Sequence, residues 1–213
     1  MRRKSVIAMV VAAMGVAACA VAGPVLVDPD AFANGTDISN AFAGVTLSAY
    51  GSGTLSPLQS SAVYARGTSF PRAGNASDVV FGNDGLGFDN TQWYSPERHF
   101  RADFDLPTDF VSIDIWSNDN YGPVRVRIYD IGGILIDTFD TIGTLGTGVV
   151  EVASFTRGTA DIAYMTVSNT PVSAGESFLI DSLEFNLIPL PTGAALALVG
   201  MGLIGVQRRR AAA

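Results

Sequence analysis

Short runs in which apolar and polar residues alternate dominate the middle of this chain. In residues 110–116, Val111, Ile113 and Ile115 share one face, opposite Ser112 and Asp114. In residues 124–129, Val124, Val126 and Ile128 face one way, while Arg125 and Arg127 face the other. A period of two with one wet face predicts antiparallel strands. Comparable runs occupy residues 45–51, 62–67, 78–82, 98–107, 123–130, 134–141, 148–155, 161–169 and 176–187, broken by Gly, Asn, Asp and Pro. The tetrapeptide Asp130-Ile131-Gly132-Gly133 suits a hairpin turn, because glycine accepts a positive φ. Helical periodicity is nearly absent. Ten or so strands at this spacing predict an all-β fold, a two-sheet antiparallel β-sandwich of jelly-roll type.

The last run holds an oddity. In residues 179–187, Leu179, Asp181, Leu183, Phe185 and Leu187 fall in phase. If that face is the core, Asp181 points inward and needs an arginine, backbone donors or a metal ion as partner. Alternatively, a bulge near Ser182 turns it to solvent.

Both ends depart from this pattern. Arg2, Arg3 and Lys4 precede an apolar run too short for an ordinary membrane span, and Ala20-Val21-Ala22 fits a cleavage site. Residues 1–22 therefore read as a secretory signal peptide. Cys19, after Val16-Ala17-Ala18, loosely resembles a lipobox, and lipidation there is the alternative. Otherwise Cys19 leaves with the signal, no cysteine remains, and the exported domain is held by its core alone. At the other end, Pro189 and Pro191 break the strand pattern off. Residues 193–206 are then all apolar or glycine, and Arg208, Arg209 and Arg210 follow. That layout predicts a hydrophobic helix with its arginines on the cytoplasmic side. The expected domains are 1–22, a β-sandwich over 23–187, a sorting or transmembrane segment over 188–210, and a tail of 211–213.

Charge narrows the function classes. All 20 acidic residues lie between Asp28 and Glu184, where seven arginines oppose them and leave the middle at −13. A nucleic-acid partner would need a basic surface, so none is expected. Catalysis finds little support either. The one histidine, His99, opens a strand run and has no nucleophile beside it in the sequence. Asp103 and Asp105 read as the outward face of a strand whose inward residues are Phe100, Ala102, Phe104 and Leu106.

Two binding chemistries remain. Asn83, Asp84, Asp89 and Asn90 gather around glycines, and hard oxygen ligands in a loop are what calcium takes; Asp181 is a third candidate carboxylate beside Asp84 and Asp89. These residue types are also ordinary turn formers. No other cofactor is expected. Trp93, Tyr94, Trp116 and Tyr121 lie in or next to loops, where aromatic rings give sugars a stacking surface. Both tryptophans equally suit plugs at the sandwich ends, the reading favoured for Trp116.

The C-terminal order of proline entry (Pro189-Leu190-Pro191), small-residue hydrophobic helix and Arg208–Arg210 resembles the PEP-CTERM sorting signals of bacterial exported proteins. Pro-Leu-Pro stands where the usual form has Pro-Glu-Pro, closer to a VPLPA-type variant. The resemblance implies an exosortase-type membrane protease as partner, transit through the membrane, and delivery to the cell surface or matrix. The middle is similar to galactose-binding-like jelly rolls in residues 34–49, 124–136 and 178–185. The expected function is a structural or adhesive surface protein binding glycan or calcium. The alternatives are a secreted carbohydrate-active enzyme and a membrane-anchored lipoprotein.

Overall fold

The alternating runs form strands. The computed structural model describes residues 23–51, 60–68, 79–84, 91, 93, 98–117, 123–142, 150–169 and 178–187, all within the compact unit Ala22–Ile188. Its strands are β1 (Gly23–Val27), β2 (Val45–Tyr50), β3 (Tyr64–Gly67), β4 (Val79–Gly82), β5 (His99–Thr108) and β6 (Phe110–Ser117). They continue with β7 (Val124–Tyr129), β8 (Leu135–Asp140), β9 (Glu151–Thr156), β10 (Ile162–Asn169) and β11 (Phe178–Leu187). The one helical element among the described residues is a 3₁₀ turn, Pro29–Ala31, capped by the Asp28 carboxylate. No helix among them is long and apolar enough to cross a membrane.

The strands build two antiparallel sheets, the β-sandwich that the alternation predicts. One runs β2-β5-β10-β7-β8; the other runs β3-β4-β11-β6-β9, with β1 also paired to β11. Consecutive strands β5 and β6, β6 and β7, and β10 and β11 lie in opposite sheets, crossings of the jelly-roll kind. The core lies between the sheets and is fastened by aromatic contacts across the gap. Phe81 of β4 meets Phe100 of β5 at 5.4 Å, and Phe104 of β5 meets Phe185 of β11 at 5.0 Å. The hairpin at Asp130–Gly133 closes as expected: Gly133 takes φ 78, and the Gly133 N–H donates to Asp130 O at 3.0 Å.

Two features differ from the alternation. β1 was not among the expected strands; it pairs with β11 from Gly23↔Leu187 to Val27↔Leu183. The phase of β11 also breaks. Phe178 and Ile180 belong to the core before the break, Leu183 and Phe185 after it, with a register shift between Asp181 and Glu184 and a left-handed Ser182 at φ 49. The bulge is present, yet Asp181 does not reach solvent. It lies on the outer side with Leu179 and is 0% exposed, and its carboxylate accepts the Ser182 N–H at 2.9 Å. Each of the two readings of Asp181 holds in part: the bulge turns it out of the core, and burial keeps it from water.

Candidate functional site

The outer face of the five-stranded sheet gathers the most distinctive polar chemistry among the described residues. Because Val45, Leu47 and Ala49 of β2 point into the core, Ser48 and Tyr50 point out. The same alternation turns His99, Arg101 and Asp103 of β5 outward, with Tyr164 and Thr166 of β10 and Arg125, Arg127 and Tyr129 of β7. Strand register lines them up in rows. Ser48 pairs with Arg101, Arg101 with Thr166, Thr166 with Arg127, and Arg127 with Thr138 of β8. The neighbouring row runs Thr46, Asp103, Tyr164, Tyr129.

Side-chain packing shapes these rows into a depression of about 440 Å³, lined by Ser48, Tyr50, Arg101, Tyr129, Tyr164 and Thr166. Tyr129 and Tyr164 stack with centroids 4.6 Å apart and planes 12° from parallel. The Arg101 guanidinium covers Tyr164 at 3.9 Å and is itself gripped by Asp103 through two hydrogen bonds, one of 2.7 Å. Both faces of the Tyr164 ring are thus taken, by Tyr129 and by Arg101. Tyr50 behaves differently. Its side chain is hydrogen-bonded to Thr166, which lies two strands away, roughly 10 Å at ordinary strand spacing. Its ring therefore leans across β5, edge-on to His99 at 5.0 Å, and remains 40% exposed.

Electrostatics suit binding better than proton transfer. Burial, opposed by the bond to Thr166, raises the Tyr50 pKa above its ordinary 10.0, so the hydroxyl stays protonated. Burial and then the charge of Arg127 push His99 below its ordinary 6.5, which keeps the imidazole neutral at pH 7. Arg101 is raised first by its hydrogen bond to Asp103. Asp103 is committed to that guanidinium, with Asp105 beyond it on the same face of β5. The depression offers hydroxyls, the Arg101 guanidinium edge and the Tyr50 ring, which together can hold a polyol through hydrogen bonds and ring contact.

The loop aromatics and carboxylates expected from the sequence do not assemble this face. Trp93 is 0% exposed, packed edge-on against Phe100 at 5.5 Å, and its Nε1–H donates to Phe81 O at 2.8 Å. It is a core plug, and a ring without solvent access cannot stack on a sugar. Trp116 is largely buried as well, but it does not close the core: it packs with Val80 and Leu179 on the outer side of the other sheet. Asp84 follows β4 and is half-buried. Asp181 pairs in register with Asp114, whose pKa burial raises. Among the described residues no three His, Cys, Asp or Glu side chains are grouped to hold a metal ion. Asp89, Tyr94, Tyr121, Cys19, Pro189, Leu190, Pro191 and Arg208–Arg210 lie outside the described residues. Tyr50, Tyr129 and Tyr164 were missed by the sequence reading; the signal was a tyrosine in the outward phase of a strand, as in the Arg125-Arg127-Tyr129 series.

Fold and face together define an all-β sandwich domain with a polar and aromatic outer sheet. No protein-family model matches the chain, and no curated protein matches it. Among solved structures it is similar to the K2 cleaved adhesin domain of Lys-gingipain, at 10% identity and TM-score 0.45, covering 78% of this chain and 100% of that one. It is also similar to a family 29 carbohydrate binding module, at 7% identity and TM-score 0.39, covering 78% of this chain and 88% of that one. A third is TmCBM61, solved in complex with β-1,4-galactotriose, at 12% identity and TM-score 0.38, covering 73% of this chain and 100% of that one.

Proposed function

We propose that this chain is an exported surface or matrix protein whose sandwich binds glycan, without turning it over, through the outer face of its five-stranded sheet. The observation that carries the binding reading is the depression in which Tyr50, Arg101, Tyr129, Tyr164 and three strands' worth of hydroxyls converge. Such a surface matches sugars, which present several hydroxyls and an apolar ring face at once. Non-catalytic binding is supported by the commitment of Asp103 to Arg101 and by a neutral His99 packed on Tyr50. Export, recognition by an exosortase-type protease and passage through the membrane rest on residues 1–22 and 188–210 of the sequence. Calcium is not part of this reading.

The test is retardation of the full chain in native gels cast with a panel of soluble neutral and acidic polysaccharides. At least one glycan should slow the wild type. Tyr50→Ala and Thr166→Val should each weaken that retardation about tenfold, the effect of losing a hydrogen bond or ring contact worth about 1.4 kcal/mol. A panel without retardation, or variants that run like wild type, would overturn the proposal.

A further inference from the structure

Seven arginines serve residues 23–187, and three of them, Arg101, Arg125 and Arg127, stand on one sheet face. Two are neutralised by their neighbours. Arg101 is held by Asp103, and Arg125 makes two 2.6 Å bonds to Asp140. Arg127 lies two residues beyond Arg125 on β7 and two strands from Arg101 in one row, flanked by Thr166 and Thr138. Among the described residues it makes no ion pair and no hydrogen bond, although it is half-buried. Withdrawing a guanidinium from water with no carboxylate bonded to it is unfavourable; the Asp140 carboxylate feels the charge of Arg127 but is bonded to Arg125. In a domain so rich in carboxylates, a neighbouring Asp or Glu at position 138 or 166 would have removed that cost; threonines stand there instead.

Arg127 borders the depression, since it pairs in register with Thr166 of its lining, and its charge also lowers the pKa of His99. A guanidinium offers paired N–H donors matched to a carboxylate or sulfate, and such charge-assisted pairs are about twice as strong as neutral ones. The −13 of the domain does not forbid an anionic ligand. At about 0.1 M salt, charges more than ~10 Å away are largely screened, whereas a half-buried contact pair is not.

We propose, building on the glycan-binding reading of this face, that the ligand is an acidic glycan whose carboxylate or sulfate group is anchored by Arg127. Neighbouring sugar hydroxyls then bond to Ser48, Tyr50 and Thr166. The full chain is assayed at about 0.1 M salt on immobilised polygalacturonate, its fully methyl-esterified form, dextran sulfate and dextran. Wild type should prefer the charged member of at least one pair about tenfold or more, and the pair in which the preference appears tells carboxylate from sulfate. Arg127→Gln should erase that preference, Arg127→Lys should keep part of it, and Arg157→Gln, which follows β9 of the other sheet and is paired to Asp161, should leave it intact. A preference that survives Arg127→Gln overturns Arg127 as the anchor. Equal binding to charged and uncharged forms, lost in Tyr50→Ala, overturns the acidic ligand while the glycan-binding face stands. No binding to any of the four overturns the acidic ligand too, and retardation by the wider panel then decides the underlying reading separately.

Discussion

His99 carries the chain's one imidazole, and its surroundings make it an element of stability. Burial and the positive Arg127 depress its pKa, so the folded state binds fewer protons than the unfolded state as pH falls below the ordinary value near 6.5. Its contribution to stability is therefore full above that value and is lost on acidification. The slope for one proton reaches at most about 1.4 kcal/mol per pH unit. Thermal melts of wild type and His99→Gln from pH 7.5 to 5.5 should diverge, with wild type falling more steeply. Parallel curves would show that the imidazole titrates as it does in water. At this scale the sequence revealed residue facing well and residue company poorly. The outward phase of Arg125 and Arg127 is readable from six letters of chain. The meeting of Tyr50 with Thr166, far apart along the chain, depends on strand order, which local alternation does not encode.

Among elements, β11 shows where reading by period breaks down. Leu179, Asp181, Leu183, Phe185 and Leu187 are evenly spaced, yet a single left-handed residue moves the first two to the opposite face from the rest. The even spacing itself does not announce such a residue; what pointed to a bulge near Ser182 was a carboxylate, Asp181, in an otherwise apolar phase. The bulge is held by the Asp181 carboxylate on the Ser182 N–H. Ser182→Gly should therefore stabilise the fold, by roughly 0.5–1 kcal/mol, because glycine adopts this φ without steric cost. Ser182→Val should destabilise it by more than about 1 kcal/mol, and Asp181→Ala by about 1–3 kcal/mol through the abandoned N–H. Urea denaturation midpoints measure all three; a neutral Ser182→Val would mean that the left-handed turn is not retained. β1 escaped the sequence reading for another reason. Five residues beside a signal-like apolar segment show no clean alternation, and only pairing with β11 makes them a strand. The other ten strands were legible because each sets one apolar face against the opposite sheet.

For the whole molecule, the sandwich is one part of what the sequence describes. Under the proposed sorting route, the terminal segments have separable jobs. Arg208–Arg210 resist entry into the bilayer, each at about 2.5–3.5 kcal/mol at its centre. Pro189 and Pro191 keep the preceding segment extended and open to a protease. A C-terminal tag should thus be lost from exported wild type and retained, in the membrane fraction, when both prolines become alanine. Wild type that keeps its tag at steady state would leave a plain membrane anchor in place of a processed signal.

β11 has a consequence in time as well as in space. It takes β6 along one edge and shares the other between β4 and β1, so three strands of the six-stranded sheet depend on one neighbour. That neighbour is also the last of the eleven to be synthesised. Until it emerges, β1 has waited from Gly23 onward without a partner, and β4 and β6 have no strand between them. Long-range pairings of this kind close late, after the whole loop between them has been made. A ribosome-bound chain, or one still threading a narrow pore, accordingly holds an open half-sandwich, and the fold locks only when its final strand arrives.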